Sequence, residues 1–463
     1  MACKAILIAG TGSGVGKTSV TLGLVAALKR RGLTVQTFKV GPDFLDPAWL
    51  ALASGRPCYN LDGWMCGETY VRNLFAAKSA DADIAVVEGV MGLFDGADPA
   101  NSTGSSAEIA RWLGLPILLV VNSHGVARTL AATVSGFCSF EAGVRISGVV
   151  ANQSGSDRHA RWLQASLQAA SLPPLAGAIP RQSLPTLPSR HLGLVSADSI
   201  KLLPHLLQEL AAKIEQHLNI DALLKTAATA LQPKTPLAVA TVAKAVTVKL
   251  GIAKDEAFHF YYQDNLEILA AQGAELVTFS PLHDTALPPD LDGIYLGGGY
   301  PEEYAATLSA NSTMLADMRT FIASGRPVYA ECGGLMYLSC GIELLDGSRH
   351  PLVEVLPFYT RMLSRRKALG YVEVTLRQDT LIGQAGSLLW GHEFHYSEII
   401  EDNTVDQLRP YKTARRNSNN SQLQGYQQGN LLASYVHLHF ARCPQAAAYL
   451  IKTCKEASCR TLR

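Results

Sequence analysis

Residues Gly10-Thr11-Gly12-Ser13-Gly14-Val15-Gly16-Lys17-Thr18 follow directly on the apolar run Ala5–Ala9. Four glycines in seven positions let backbone N–H groups turn inward around a phosphate. Gly12, Gly14, Val15, Gly16, Lys17 and Thr18 are the expected cradle for ATP. Lys17 would meet the β- and γ-phosphates, and the Thr18 hydroxyl can hold Mg²⁺. The spacing departs from the usual loop: Gly10 lies six residues before Gly16 rather than about five, and Thr11 follows the first glycine. Two acidic segments end later strands, Lys39–Pro47 and Val86–Gly96. A single acid there reads as well as a helix cap or a turn residue. Acids on successive strands facing one phosphate loop suit magnesium, because hard cations take oxygen. Glu88 is the first expected ligand and Asp43 the second, while Asp95 suits orientation of substrate or water.

A different chemistry stands in Pro327-Val328-Tyr329-Ala330-Glu331-Cys332-Gly333-Gly334. A cysteine between a strand and a glycine turn is the layout of a nucleophile elbow, which exposes the side chain and aims N–H groups at an oxyanion. A helix beginning just beyond is expected to lower the thiol pKa. Leu296–Glu302 holds a second strand-to-glycine turn, so Gly298 and Gly299 join Gly333 as expected oxyanion donors. A base comes from Ser434–Phe440, where His437 and His439 point the same way along an extended segment and the pattern does not choose between them. The segment Gly391–Tyr396 is polar and aromatic, and reads equally as a solvated strand or a substrate contact. Together the two signatures suggest that one half releases ammonia and the other spends ATP to attach it.

Elements must place these residues. Over 463 residues, two or three cores are expected. The composition is 48% hydrophobic and 17% charged, with a mean hydropathy of +0.11, which predicts extensive burial. Net charge is +1, so there is no electrostatic footprint for nucleic acid or an anionic membrane. No apolar run reaches the roughly 18–20 residues of a spanning helix. The N-terminal apolar stretch runs straight into the phosphate loop and does not read as a signal peptide. Nine scattered cysteines without zinc spacing point to a reducing cytoplasm rather than a disulfide framework.

Strands are expected at 4–10, 34–40, 84–89, 116–121 and 145–151, with helices at 18–31, 66–80, 105–114 and 156–170 between them. Such alternation predicts an α/β, doubly wound parallel sheet of P-loop NTPase type, with ligands beyond the carboxyl ends of its strands. The domain expectation is 1–220 for this half, including a helix over 199–217, then a linker over 221–236 and a second domain over 237–463. Strands there are expected at 237–240, 275–279, 293–296, 327–330, 371–376 and 431–435, with a last helix near 444–457. The polar segment 402–430 reads as a loop or insertion.

In these motifs, and in Arg190–Leu194, the chain resembles the ATP-dependent amidotransferase family of cobyrinate and cobyric acid synthases over nearly its whole length. Several of the motifs are specific to the diamide synthase branch. The resemblance implies a dethiobiotin-synthetase-like amide synthase domain and a class I glutamine amidotransferase-like domain. It implies Cys332 as glutaminase nucleophile and His437, rather than His439, as its base. It further implies amidation of the a and c carboxylates of a cobyrinic acid-type corrinoid through an acyl phosphate, with L-glutamine and ATP·Mg²⁺ as co-substrates. Asp43, Phe44, Leu45 and Asp95 are then the residues expected to place the substrate side chain. Two positions depart from the family pattern: His439 stands where a glutamate would follow the base, and Phe44 stands where a tyrosine is expected. Hydrogenobyrinate and nickel-sirohydrochlorin are alternative substrates, and a homodimer is compatible with the reading. A partitioning-type ATPase fits less well, because Thr11 and Gly12 occupy the stretch where its second lysine would stand.

Overall fold

The computed structural model describes residues 3–187, 197–230, 248–402, 408–416 and 421–461. The expected strand at 237–240 and the Arg190–Leu194 motif lie outside them. Two compact units divide the chain, residues 1–237 and 238–463.

In the first unit, short runs of β-branched and aliphatic residues bury both of their faces, which only a covered parallel sheet accommodates. The strands are β1 (Lys4–Gly10), β2 (Val35–Val40), β3 (Tyr59–Leu61), β4 (Ile84–Glu88), β5 (Ile117–Asn122), β6 (Ile146–Ser154) and β7 (Leu175–Pro180). They run parallel in the order β3-β2-β4-β1-β5-β6-β7, with Leu7 opposite both Val87 and Ile117. Helices Lys17–Arg30, Glu68–Ser79, Ser106–Leu113 and Asp157–Ala169 stand where the apolar periodicity places them. The carboxyl ends of β1, β2 and β4 are adjacent in this order, so the phosphate loop, Asp43 and Glu88 leave the sheet at one edge.

Several elements carry too weak a pattern to be read in advance. Leu45–Ser54 is a helix although Pro47 lies in its first turn, where a missing N–H costs nothing. Asp43 Oδ1 accepts from the Leu45 and Asp46 amides at 2.8 and 3.2 Å and satisfies its first donors. Thr129–Ser139 is helical despite a run of β-branched, Ser and Gly residues that favour helix poorly. The segment after 220 begins as a helix, Ile220–Thr226, and continues as β8 (Ala228–Thr229), which pairs antiparallel with the start of β1.

Helix Ala197–His217 lies along helix Lys17–Arg30, and Gly23 allows the close approach. A Cβ on Gly23 would stand 2.4 Å from Ile214 Cγ1 and 3.1 Å from the Leu210 carbonyl.

The second unit opens with β9 (Val248–Ala253), β10 (Ala274–Phe279), β11 (Gly293–Leu296) and β12 (Val328–Glu331). Shorter strands follow: β13 (Ser339–Glu343), β14 (Arg349–Pro351), β15 (Leu356–Met362), β16 (Ala368–Leu376), β17 (Leu388–His395) and β18 (Ser397–Ile400). The last are β19 (Tyr411–Arg415), β20 (Ser421–Gln424), β21 (Tyr426–Gln428), β22 (Leu431–Ser434) and β23 (His437–His439). The main sheet has the order β10-β9-β11-β12-β22-β21, parallel except for β21 at its edge. Two smaller sheets, β14-β13-β15-β18 and β20-β19-β16-β17-β23, flank it, and the final helix is Gln445–Thr461.

The loop expected over 402–430 is corrected here, since β19, β20 and β21 all fall in it. Tyr411 and Thr413 point inward while Lys412 is exposed, so two buried anchors seat a largely polar hairpin. Among the described residues no helix is long and apolar enough to cross a membrane.

Replacing Gly23 with Val should lower unfolding stability by about 1–3 kcal/mol, because Ile214 and the Leu210 backbone must move. Calorimetry should show the first unit's transition several degrees lower; an unchanged midpoint would mean the two helices separate without cost.

Candidate active site

The phosphate loop takes its shape from glycines in the left-handed region, Gly14 at φ 76° and Gly16 at φ 92°. Gly16 also makes room for Asn152, whose Nδ2 would lie 2.2 Å from a Cβ there and donates to the Val15 carbonyl at 2.8 Å. Lys17 is buried and donates to the carbonyls of Gly12 and Met91, which holds its ammonium at the mouth of the loop. Burial first, then the neighbouring Lys39, lowers its pKa.

Beside the loop sits a buried charge cluster. Thr18 Oγ1 donates to Glu88 Oε1 at 2.8 Å. Lys39 Nζ lies 3.0 Å from the same Glu88 oxygen, 2.6 Å from Asp46 and 3.9 Å from Asp43. Burial pushes the Glu88 carboxyl up to about 7, against the pull of Lys39. Asp43 rises to about 6 through burial and the adjacent Asp46. Burial also works against the Asp46 charge, yet Lys39 outweighs it and holds that carboxyl below its ordinary value. Lys39 itself stays charged, since three carboxylates overcome its desolvation. Lys39 and Asp46 belong to the motif read from the sequence but carried no role there; the available signal is a lysine inside a fully buried strand, which demands a partner.

Asp95 Oδ2 accepts from the Gly92 amide at 2.8 Å, and a Cβ on Gly92 would stand 3.4 Å from Gly12 Cα, so this turn abuts the phosphate loop. Phe44 and Leu45 are half-buried beside Asp43. Glu88 Oε2 is buried without a hydrogen-bond partner among the described residues, an orphaned oxygen that a hard cation would satisfy. Asp43, in contrast, uses Oδ1 to cap a helix and joins the cluster through Lys39. No group of three or more His, Cys, Asp or Glu able to hold a metal occurs among the described residues.

In the second unit Cys332 sits between β12 and helix Gly333–Leu338, at φ 46° and ψ −101°. A non-glycine residue there is strained by about 1–3 kcal/mol, as a nucleophile elbow requires. Its amide donates to the Ser434 carbonyl at 2.7 Å, and Sγ lies 4.0 Å from the Phe394 carbonyl.

Three glycines close around it. A Cβ on Gly333 would lie 3.0 Å from the Gly299 nitrogen, and a Cβ on Gly298 would lie 2.4 Å from His437 Cε1. Gly299, at φ 156°, could carry no side chain at all, since a Cβ would sit 1.9 Å from the Ala257 carbonyl. The amides of Gly297, Tyr300 and Gly334 are engaged by Tyr261, Ala257 and Gly297 respectively.

The expectation of a lowered thiol pKa is corrected. Burial and the nearby Glu302 carboxylate push Cys332 up, and the Gly333 amide at the helix start only offsets part of this. Burial thus favours the protonated thiol. Burial, together with His392 and His395, drives His437 well below its ordinary value, so its imidazole is neutral and able to accept a proton.

Gly391–Tyr396 is not a solvated strand: Gly391, His392 and Glu393 are buried in β17. His392 is buried in β17, accepts or donates at 2.9 Å with the Tyr262 hydroxyl, and stacks on His437 with ring centroids 5.0 Å apart. Glu393 is buried and accepts from Arg415 at 3.2 Å and Gln424 at 2.9 Å. These three, with Lys367, His395 and Tyr435, line a cavity of about 530 Å³.

Comparison with known proteins places both halves. Residues 6–195 match the CobQ/CobB/MinD/ParA nucleotide binding domain. Residues 249–444 match the CobB/CobQ-like glutamine amidotransferase domain. The chain is 57% identical over 461 residues to the cobyrinate a,c-diamide synthase of Syntrophotalea carbinolica, covering 99% of this chain and 100% of that protein. It is 42% identical to the protein of that name from Leptospira interrogans, over 97% of this chain and 98% of the other. The one from Salmonella typhimurium is 41% identical over 95% and 96%.

Gly16→Ala should weaken ATP binding by on the order of tenfold or more, because the backbone must leave φ 92° and Asn152 must release Val15. Titration calorimetry measures this; unchanged affinity would show that the loop does not form the phosphate cradle.

Proposed function

The chain belongs to the cobyrinate a,c-diamide synthase family, and we propose that it converts the a and c carboxylates of a cobyrinic acid-type corrinoid into amides, using ATP and glutamine. The observation that carries this reading is the presence, on one chain, of a phosphate loop beside a buried lysine–carboxylate cluster and of a strained cysteine elbow bracketed by glycine amides and a neutral histidine.

Ammonia is made in the second unit. His437 takes the Cys332 proton, and the thiolate attacks the glutamine carboxamide carbon. The oxyanion that forms meets the amides of Gly298, Gly299 and Gly333. The proton returns from His437 to the departing nitrogen, ammonia leaves, and water cleaves the resulting glutamyl thioester to glutamate and free thiol. The α-ammonium and α-carboxylate of glutamine find their opposite charges in Glu393 and Arg415 of the adjoining cavity.

The carboxylate is activated in the first unit. A carboxylate resists ammonia because oxide is a poor leaving group, so its oxygen first attacks the γ-phosphorus of ATP and ADP departs. Ammonia then adds to the acyl phosphate carbon and inorganic phosphate leaves. Lys17 and Lys39 supply positive charge beside the transferring phosphoryl group. Thr18 Oγ1 and Glu88 Oε2 are the atoms suited to Mg²⁺, with Asp43 next to them; bound there, the ion would neutralise phosphate charge. Asp43, Phe44, Leu45 and Asp95, around the mouth of the loop, place the substrate side chain. This reading places the chain in a reducing cytoplasm, in keeping with cysteines that are free thiols among the described residues.

Cys332→Ser should abolish amide formation from glutamine while sparing it with ammonium salts; equal loss of both would rule out separate sites for the two half-reactions. Lys17→Ala should stop synthesis from either nitrogen source, and surviving ATP-dependent amidation would refute its role. Mass spectrometry of cobyrinic acid incubated with glutamine and ATP should reveal a product with two amides, and no product would exclude this substrate.

A further inference from the structure

A histidine that accepts a thiol proton at Nε2 must keep its other proton on Nδ1, and an acid facing Nδ1 fixes that tautomer and steadies the imidazolium. The residue two places beyond His437 is not an acid but His439. His439 is turned elsewhere. Its Nε2 lies 3.3 Å from Asp264 Oδ2, and its ring packs on Tyr262 at 4.6 Å. Asn265 next to Asp264 binds the Leu438 carbonyl and the Phe440 amide at 2.8 Å each, so this group ties β23 to helix Gln263–Ala271.

We propose that Glu331, the residue immediately before the nucleophile, is the positioning acid for His437. Its carboxylate is 2% exposed at the end of β12. Oε1 accepts from the Leu438 amide at 2.9 Å and the Tyr329 hydroxyl at 2.7 Å, which fastens the histidine strand by its backbone. Oε2 accepts from the Tyr295 hydroxyl at 2.8 Å and faces His437 Nδ1 at 3.9 Å. One carboxylate thus holds both the main chain and the ring of the base. Three donors favour its carboxylate form and offset part of the burial that pushes its pKa up to about 7. The 3.9 Å separation is longer than a hydrogen bond, as catalytic contacts often are before substrate arrives, and it closes as the ring moves on the thiol. His437 is stacked on His392 and flanked by Phe260, so the positive charge gained during attack is balanced from the Glu331 side.

This inference rests on the glutaminase reading of Cys332 given above. The test is Glu331→Gln, compared with Cys332→Ser and His439→Gln, assayed with glutamine and with ammonium salts. Glu331→Gln should lower glutamine-dependent kcat by about 10²–10⁴-fold, the range for a base left in the wrong tautomer. The KM for glutamine should stay within about threefold and the ammonia-dependent rate should be unchanged. His439→Gln should alter kcat far less. A Glu331→Gln kcat within about threefold of the parent overturns the proposal, as does a parallel fall with ammonia or a large rise in KM, either of which marks a structural role. Retained glutamine use by Cys332→Ser would refute the glutaminase reading itself, and the role of Glu331 with it.

Discussion

A parallel sheet covered on both faces presents polar groups to a ligand along its strand ends, and that constraint places most candidate residues of this protein. In the first unit β1, β4 and β2 are neighbours, so their carboxyl ends deliver the phosphate loop, Glu88 and the Lys39–Asp46 segment to one rim. In the second, β11, β12 and β22 are neighbours, and their ends deliver the Gly297–Gly299 turn, the Cys332 elbow and the segment leading to His437. The bodies of these strands are buried without exception at their central positions, which leaves no alternative place for charge.

The two rims meet the cost of buried polarity in opposite ways. Around Glu88 ionisable groups are packed against one another, and Lys39, close to three carboxylates, offsets part of a desolvation that would cost several kcal/mol per unpaired ion. A phosphate or a divalent cation arriving there would displace part of the existing pairing. Around Cys332 the resting groups are neutral: burial keeps the thiol protonated and the imidazole uncharged. Charge appears there only when a proton moves, and the carboxylate and backbone amides nearby are set for that moment.

Close approach is the second recurring device. Gly23, Gly16 and Gly299 each stand where a single methyl would strike a neighbour, between two helices, under the phosphate loop and beneath the oxyanion turn. The positive φ of Cys332 is the complementary case, a strained residue that the surrounding strand pairing holds in place.

The order of strands and helices in the first unit was legible in the sequence because short buried runs of aliphatic and β-branched residues alternate with amphipathic helices, and the chemistry was legible because glycines, Lys17, Glu88 and, in the second unit, Cys332 sit at the ends of such runs. The hairpin of β19 and β20 was not, since two inward side chains among Asn, Gln and Lys leave no periodic signal. Residue types and spacing by themselves determined that one chain carries a phosphate loop and a thiol elbow. Only the tertiary structure decided which groups meet: that Lys39 lies among Asp43, Asp46 and Glu88, that His439 turns to Asp264, and that Glu331 faces His437. Except for Lys39 with Asp43 and Asp46, these are contacts between segments far apart in the chain, set by sheet order and side-chain direction, which local pattern does not encode.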